Sequence, residues 1–330
     1  MLARLRENRF LVVGRAGLDL YAEPPGTEIE NARGFFPALG GSAANIAVAI
    51  VRQGGHSSLF TAVSNDAVGR YTRNALVGYG VDTAYLRTVG GEARNSLAVV
   101  ETRAENCQSV IYRNGAADFE VSENDASIID YSAFCAVIVT GTALAREPSR
   151  SATLKVLERA KVAGLVTVID IDYRPYSWVS KQEARQVCSR AAEHCGIIVG
   201  NDDEFTVLAG DGDSVRHAED LAREPGRIVV HKMGENGCIA FADGARFDVP
   251  VFRVKALKPT GAGDGFMGGF LAGLAAGADV PGAVRRGAAM AAIVVTKVGC
   301  APAMPDADEV SCFMQSRTNI GFNTDAYSAP

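Results

Sequence analysis

The sequence holds no pair of cysteines at CxxC spacing, and its seven cysteines (107, 135, 188, 195, 238, 300 and 312) form an odd set beside only four histidines. Neither a zinc site nor a disulfide framework follows from that supply, so the thiols are expected to be reduced and mostly buried. Long hydrophobic runs are missing too. The best, Phe266 to Ala278, is glycine-rich and falls short of the roughly 18 consecutive apolar residues of a membrane span. Met1 to Arg9 leads straight into Phe10–Val13, too brief for the apolar region of a signal peptide and without a small-residue cleavage site. A cytoplasmic protein that engages no membrane is the expectation. Positive charge is not in excess: 33 Lys and Arg face 38 Asp and Glu, a formal charge of −5. That argues against a general nucleic-acid surface while leaving room for a local basic pocket. No Gly-Lys dipeptide occurs, which excludes a P-loop.

What is present is ordinary for a globular chain: 330 residues, 48% hydrophobic and 22% charged. Length above the usual domain size points to one large α/β domain with insertions, or to two domains. Short β-branched runs alternate with helical stretches. Phe10–Gly14, Ser58–Val63, Ala136–Thr140, Val166–Asp170 and Ile197–Val199 read as strands. Between or after them, 43–52, 68–77, 151–162 and 183–193 read as helices. Hydrophobic strands with helical crossovers imply a parallel sheet covered on both faces. Two segments break this rhythm. Tyr21 to Pro37 carries Pro24-Pro25-Gly26, and Tyr85 to Arg113 alternates as antiparallel strands do, so both are expected in a small β-sheet outside the main layer, as a lid. Arg227 to Val249 reads as a further antiparallel piece, followed by glycine- and alanine-rich helices at about 262–277 and 280–297. Residues 316–330 lack periodicity and are expected to form a disordered tail.

The sharpest motif is Thr260-Gly-Ala-Gly-Asp-Gly-Phe-Met-Gly-Gly-Phe270, a glycine-rich turn that opens a helix. Backbone N–H groups of Gly261, Ala262 and Gly263 can approach an anion closely there, and the helix N-terminus adds partial positive charge. Gly263–Gly268 also satisfies GxGxxG, but the dinucleotide reading needs a βαβ context that a following helix denies. Asp264 would repel phosphate in a site that only held it. As a base for a substrate hydroxyl beside an N–H cradle it makes sense, since phosphoryl transfer needs mostly positioning and charge stabilisation. An ordinary helix cap is the alternative use for Asp264.

Gly40-Gly41-Ser-Ala-Ala-Asn45 together with Thr260-Gly-Ala-Gly-Asp264 resembles the paired signatures of the ribokinase-type (PfkB) carbohydrate kinases, and the resemblance extends over about residues 9–313. It implies a single ribokinase-like α/β domain over 1–330: a doubly wound, mainly parallel sheet flanked by helices, with a small β-sheet lid made from about 18–37 and 85–115. It also implies ATP and Mg²⁺ as cosubstrates, a small-molecule sugar as acceptor, and a homodimer through the lid. In that pattern Asp264 is the catalytic base, the amides of Gly261, Ala262 and Gly263 form the anion hole, and Asp19, Gly41 and Asn45 bind the sugar. Asn201 and Glu204 of Asn201-Asp-Asp-Glu204 resemble the NxxE motif that organises Mg²⁺, most simply through water; a helix cap with a first-turn acid is their other reading. Lys232, Gly234 and Gly237 resemble a hairpin beside the nucleotide, and Gly299 and Cys300 take the place of an adenine pocket. Lys258-Pro259 departs from the pattern, which usually has Asp or Asn two residues before Thr260.

Three stretches, 140–149, 170–178 and 299–305, most resemble the branch of the family that phosphorylates a six-carbon keto-deoxy sugar acid in myo-inositol catabolism. A second keto-deoxy acid, or a neutral sugar such as ribose or fructose, is the alternative acceptor. A sugar acid needs a cation where a neutral sugar does not. Arg174 follows the carboxyl end of a strand, where open α/β sheets bind ligands, and its guanidinium can take a carboxylate bidentately. Arg113 would reach in from the lid. A surface ion pair is the plain alternative for either arginine.

Overall fold

The computed structural model describes residues 2–318. Its strands in chain order are β1 (Arg9–Val13), β2 (Gly17–Glu23), β3 (Gly34–Gly40), β4 (His56–Ser64), β5 (Leu86–Val89), β6 (Ser96–Val100) and β7 (Ser109–Tyr112). They continue with β8 (Ala136–Thr140), β9 (Val166–Asp170), β10 (Ile197–Asn201), β11 (Ile228–Lys232), β12 (Cys238–Ala242) and β13 (Ala245–Val249). The helices are α1 (Ser42–Arg52), α2 (Ala67–Gly78), α3 (Glu123–Ser127), α4 (Ser149–Val162) and α5 (Lys181–Ala192). After them come α6 (Asp202–Ala209), α7 (Ser214–Leu221), α8 (Ala262–Ala275), α9 (Val280–Val294) and α10 (Ala307–Thr318).

The main sheet runs β13-β12-β11-β10-β9-β8-β1-β4-β5. Every pairing from β11 to β5 is parallel, and β12 and β13 add an antiparallel edge. Alternation along each strand splits the core in two. Phe10 and Val12 of β1 with Ala136 and Ile138 of β8 face α1, α8 and α9; Leu11 and Val13 with Val137 and Val139 face α4 and α5. Small residues let the helices on the first face approach closely: a Cβ at Gly268 of α8 would stand 2.3 Å from that of Ala49 in α1. From β1 the chain winds through β4 to β5 on one side, then returns to β8 and continues to β11 on the other. The strand order therefore reverses between β1 and β8, and their carboxyl ends open the crevice where such sheets bind ligands.

A second sheet, β3-β2-β6-β7, stands apart from the first. Its inner face carries Asp19, Tyr21, Ala98 and Ile111, and its outer face Leu20, Phe35, Val99 and Tyr112, as the register requires.

Two expectations need correction. Leu86–Val89, assigned to the lid, pairs parallel with β4 at the edge of the main sheet, because alternation alone does not tell which sheet a short strand joins. The antiparallel piece expected at 227–249 is present as β11, β12 and β13, at the opposite edge of that sheet. In the expected tail, Ser316–Thr318 continue α10, and 319–330 lie outside the described residues. No helix among the described residues is long and apolar enough to cross a membrane.

Candidate active site

The first site element is built where β3 turns into α1. Gly41 caps the helix at φ 98°, and a Cβ there would lie 2.4 Å from the Arg15 carbonyl, so only glycine lets the two segments meet. The helix that follows carries Ser42 and Asn45, both buried, toward the carboxyl ends of β1 and β8.

The second element is the start of α8. Gly261 is its N-cap in the left-handed region at φ 82°, and the turn closes with Gly265 N–H donating to Gly261 O at 3.0 Å. The N–H groups of Gly261, Ala262 and Gly263 belong to the set that no intrahelical carbonyl can satisfy. Asp264 sits in the first turn without capping the helix, which disposes of the cap reading. Its Oδ2 accepts from Asn45 Nδ2 at 2.8 Å. Burial, and then the nearby Asp172 carboxylate, push the Asp264 pKa up to about 7, against the Asn45 hydrogen bond that lowers it.

Around this pair lies a cavity of about 290 Å³. Gly41, Asn45, Gly261 and Asp264 line it from one side; Asp19, Tyr21, Ala98 and Ile111 of the lid's inner face close it from the other. Asp19 is buried, 3.9 Å from Arg15 Nη2 and 3.3 Å from the Tyr21 hydroxyl, which donates to it. Burial raises its pKa while Arg15 opposes the rise.

Both arginines line the cavity, Arg113 from a buried ion pair and Arg174 from a partly exposed one. Arg113 is buried, and its Nε and Nη2 donate to Asp118 Oδ2 while the guanidinium stacks 4.0 Å over Phe119. Its Nη1 is buried and has no protein partner. Arg174 pairs with Asp172 at 2.8 Å and Glu204 at 3.8 Å, and so stays charged.

The remaining expected residues divide. Lys232, at the end of β11, stands 3.6 Å from Asp170, and its Nζ lies 3.4 Å from where a side chain at Gly263 would begin. Burial disfavours its charge, but Asp170 and Glu204 outweigh that and hold its pKa above the ordinary lysine value. Gly234 and Gly237 form the turn to β12, both at positive φ. Gly299 has φ 82° just before Cys300. Cys300 lines the same cavity, its Sγ 3.1 Å from the Tyr21 hydroxyl. Asn201 and Glu204 form a capping box on α6: Asn201 Oδ1 accepts from Glu204 N–H, and Glu204 Oε2 from Asn201 N–H. Glu204 Oε1 also accepts from Tyr173 N–H at 3.2 Å, and burial pushes this carboxyl up to about 7. Among the described residues no group of three or more His, Cys, Asp or Glu side chains is placed to hold a metal ion.

Sequence reasoning missed Arg15, Ser42 and Asp172. Asp172 is buried and accepts from Ser42 Oγ at 2.6 Å and Thr142 Oγ1 at 2.9 Å, so it joins the first signature and the segment after β8 to Arg174. Its φ of 38°, unusual outside glycine, marks a backbone held against preference. A signal existed in Asp170-Ile-Asp172, a second acid just past the carboxyl end of a strand, where open α/β sheets bind ligands.

A helix N-terminal anion cradle, a carboxylate poised near neutrality and a lidded cavity at the topological switch point define a sugar kinase. The profile of the pfkB family carbohydrate kinases matches residues 8–307, and the chain belongs to that family. It is 38% identical over 313 residues to the 5-dehydro-2-deoxygluconokinase of Photobacterium profundum, covering 93% of this chain and 95% of that protein. It is 35% identical over 314 residues to the 5-dehydro-2-deoxygluconokinase of Geobacillus thermodenitrificans, covering 93% of each. Among solved structures, the fructokinase of Xylella fastidiosa with bound ATP superposes with a TM-score of 0.83 at 23% identity, covering 94% of this chain and 99% of that one. The fructokinase of Vibrio cholerae with fructose, ADP and calcium ion superposes at 0.82 with 26% identity, covering 93% and 99%.

Proposed function

We propose that the protein transfers the γ-phosphoryl group of ATP to the primary hydroxyl of 5-dehydro-2-deoxy-D-gluconate, giving its 6-phosphate. Three arginines, Arg15, Arg113 and Arg174, line one cavity with Asp264, and this carries the reading. A sugar acid presents a carboxylate to this positive charge, and a neutral sugar does not. The curated relatives named for this substrate, covering nearly the whole chain, support the same choice.

In the reaction Asp264 accepts the proton of the primary hydroxyl as its oxygen bonds to phosphorus and the bond from phosphorus to the ADP oxygen breaks. A pKa near 7 suits that task at neutral pH. The amides of Gly261, Ala262 and Gly263 receive the equatorial oxygens, and Lys232 adds a full charge beside Gly263. Asp19 and Asn45 orient sugar hydroxyls. Arg113, with Nη1 unpartnered, takes the carboxylate, and Arg174 strengthens the field.

Mg²⁺ fits only as an ion carried mainly by nucleotide phosphates. Glu204 has both oxygens engaged by backbone N–H groups, so it would hold the ion through water, with Asn201 keeping the box in place. Bound there, Mg²⁺ would neutralise charge developing on the phosphates. The outer face of the lid, with Phe35 and Tyr112 exposed, supports a homodimer through the lid. A cytoplasmic setting belongs to the same proposal, since the phosphoryl donor is ATP.

The test is a coupled ADP-release assay with 5-dehydro-2-deoxygluconate, 2-keto-3-deoxygluconate, ribose and fructose. The highest kcat/KM is expected on the first. A preference for either neutral sugar would overturn the reading.

A further inference from the structure

Lys258 is fully buried, at 0% exposure, yet among the described residues its ammonium has no carboxylate partner. Its Nζ donates instead to two backbone carbonyls, Thr260 O at 2.5 Å and Val294 O at 3.4 Å. Val294 is the last residue of α9, where carbonyls left without intrahelical partners concentrate the negative end of the helix dipole. Thr260 immediately precedes Gly261, the residue that opens the α8 cradle. The main chain is tied at the same point, since Leu257 N–H and Lys258 N–H both donate to Val295 O, at 2.7 and 3.2 Å.

One ammonium thus pins the segment leading into the cradle onto the end of the neighbouring helix. Desolvation lowers its pKa, as burial of a cation must. Carbonyl oxygens and a helix C-terminus are what a dehydrated monovalent cation would choose, and here the chain delivers that cation on a covalent tether. Thr260 Oγ1, in the same loop, is buried without a partner and borders the cavity, so the loop's placement matters to what binds there.

We infer that Lys258 is a positioning residue whose ammonium acts as a built-in monovalent cation, holding the Thr260–Gly263 loop in its anion-accepting form and freeing turnover from any added monovalent ion. This rests on reading Gly261–Gly263 as the cradle for the transferring phosphoryl group. Lys258→Met removes the charge and keeps much of the volume, leaving two carbonyls unsatisfied.

The protein and its Lys258→Met variant are assayed in chloride salts of potassium, ammonium, sodium and tetramethylammonium at equal ionic strength. The unaltered protein should turn over equally in all four. The variant should lose about 10- to 100-fold in kcat/KM for ATP, the cost of orphaned buried polar groups. Potassium or ammonium should restore part of that loss saturably, and tetramethylammonium, too large for the space, should not. Thermal unfolding of the variant in the same salts reads ion binding without any sugar, so a wrong choice of acceptor cannot be mistaken for failure here. Activation of the unaltered protein by potassium or ammonium overturns the inference. So does a folded variant with undiminished kcat/KM, or an impaired one that no ion restores. If the variant does not fold, the salt series on the unaltered protein decides alone.

Discussion

Asn45 Nδ2 donates to Asp264 Oδ2 across 2.8 Å, joining two signatures that lie 219 residues apart in the chain. The bond forms because α1 and α8 pack side by side at Gly268 and Ala49, which brings their N-termini to the same end of the sheet. The two motifs are therefore one device: Asn45 both reaches the cavity and favours the charged form of the base.

If Asp264 is the base, Asp264→Asn should fold, bind ATP and sugar acid nearly as before, and lose about 10²- to 10⁴-fold in kcat. Stability should move the other way. The folded state raises this carboxyl from 3.8 to about 7, so it binds the proton more tightly than the unfolded chain does, and stability falls as pH rises through that window. Asp264→Asn should therefore unfold at a higher temperature than the parent at pH 8, with the gap closing toward pH 4. Parental kcat in the folded variant would remove Asp264 from the chemistry.

Asn45→Ala tests the bond itself. Losing a donor to the charged carboxylate raises the Asp264 pKa further, so the acid limb of kcat/KM should move to higher pH. Activity would then suffer more at pH 6 than at pH 8.5. Glu204 is also pushed to about 7, and an acid limb that persists in Glu204→Gln assigns the limb to Asp264. A uniform loss at every pH would leave Asn45 as a sugar contact only.

Much of the architecture was legible because strands buried on both faces write themselves as continuous apolar runs: Ala136–Thr140 and Val166–Asp170 match the structure residue for residue. Leu86–Val89 was misplaced since a four-residue strand carries no record of its partner. Asp264 stood out in the sequence from its glycine-rich turn, whereas Asn45 and Asp19 were singled out only through the family resemblance. Arg15 and Asp172 were not, because their importance arises from ion pairs and hydroxyl contacts with residues distant in sequence, such as Asp172 with Ser42. The contact of Cys300 with Tyr21 was illegible for the same reason: it exists only once the lid folds over the sheet.

Glu204→Gln separates the capping box from the metal. Glutamine serves a capping box as glutamate does, so the fold and Tm should be nearly unchanged. Removal of the charge beside Lys232 and Arg174 should raise the Mg²⁺ concentration needed for half-maximal rate without altering which sugar is preferred. An unchanged Mg²⁺ titration, at parental kcat, would make Glu204 a capping residue alone.

Arg113 and Arg174 are separated by comparing substrates within one protein. Arg113→Met deletes the guanidinium whose Nη1 lacks a partner, and should cost about 10- to 150-fold in kcat/KM on the keto-deoxy acid, the worth of a charge-assisted contact. A neutral hexose should not feel that loss, although freeing Asp118 from its buried pair lowers Tm for both. Arg174→Met should behave less selectively. Its partners Asp172 and Glu204 would be left without their cation, so acid and neutral sugar both lose rate, the acid more. Equal losses on the two substrates in both variants would show that neither guanidinium reads the carboxylate. Arg15, held 3.9 Å from Asp19 and donating to Ser96, would then be the remaining cation in the cavity to examine.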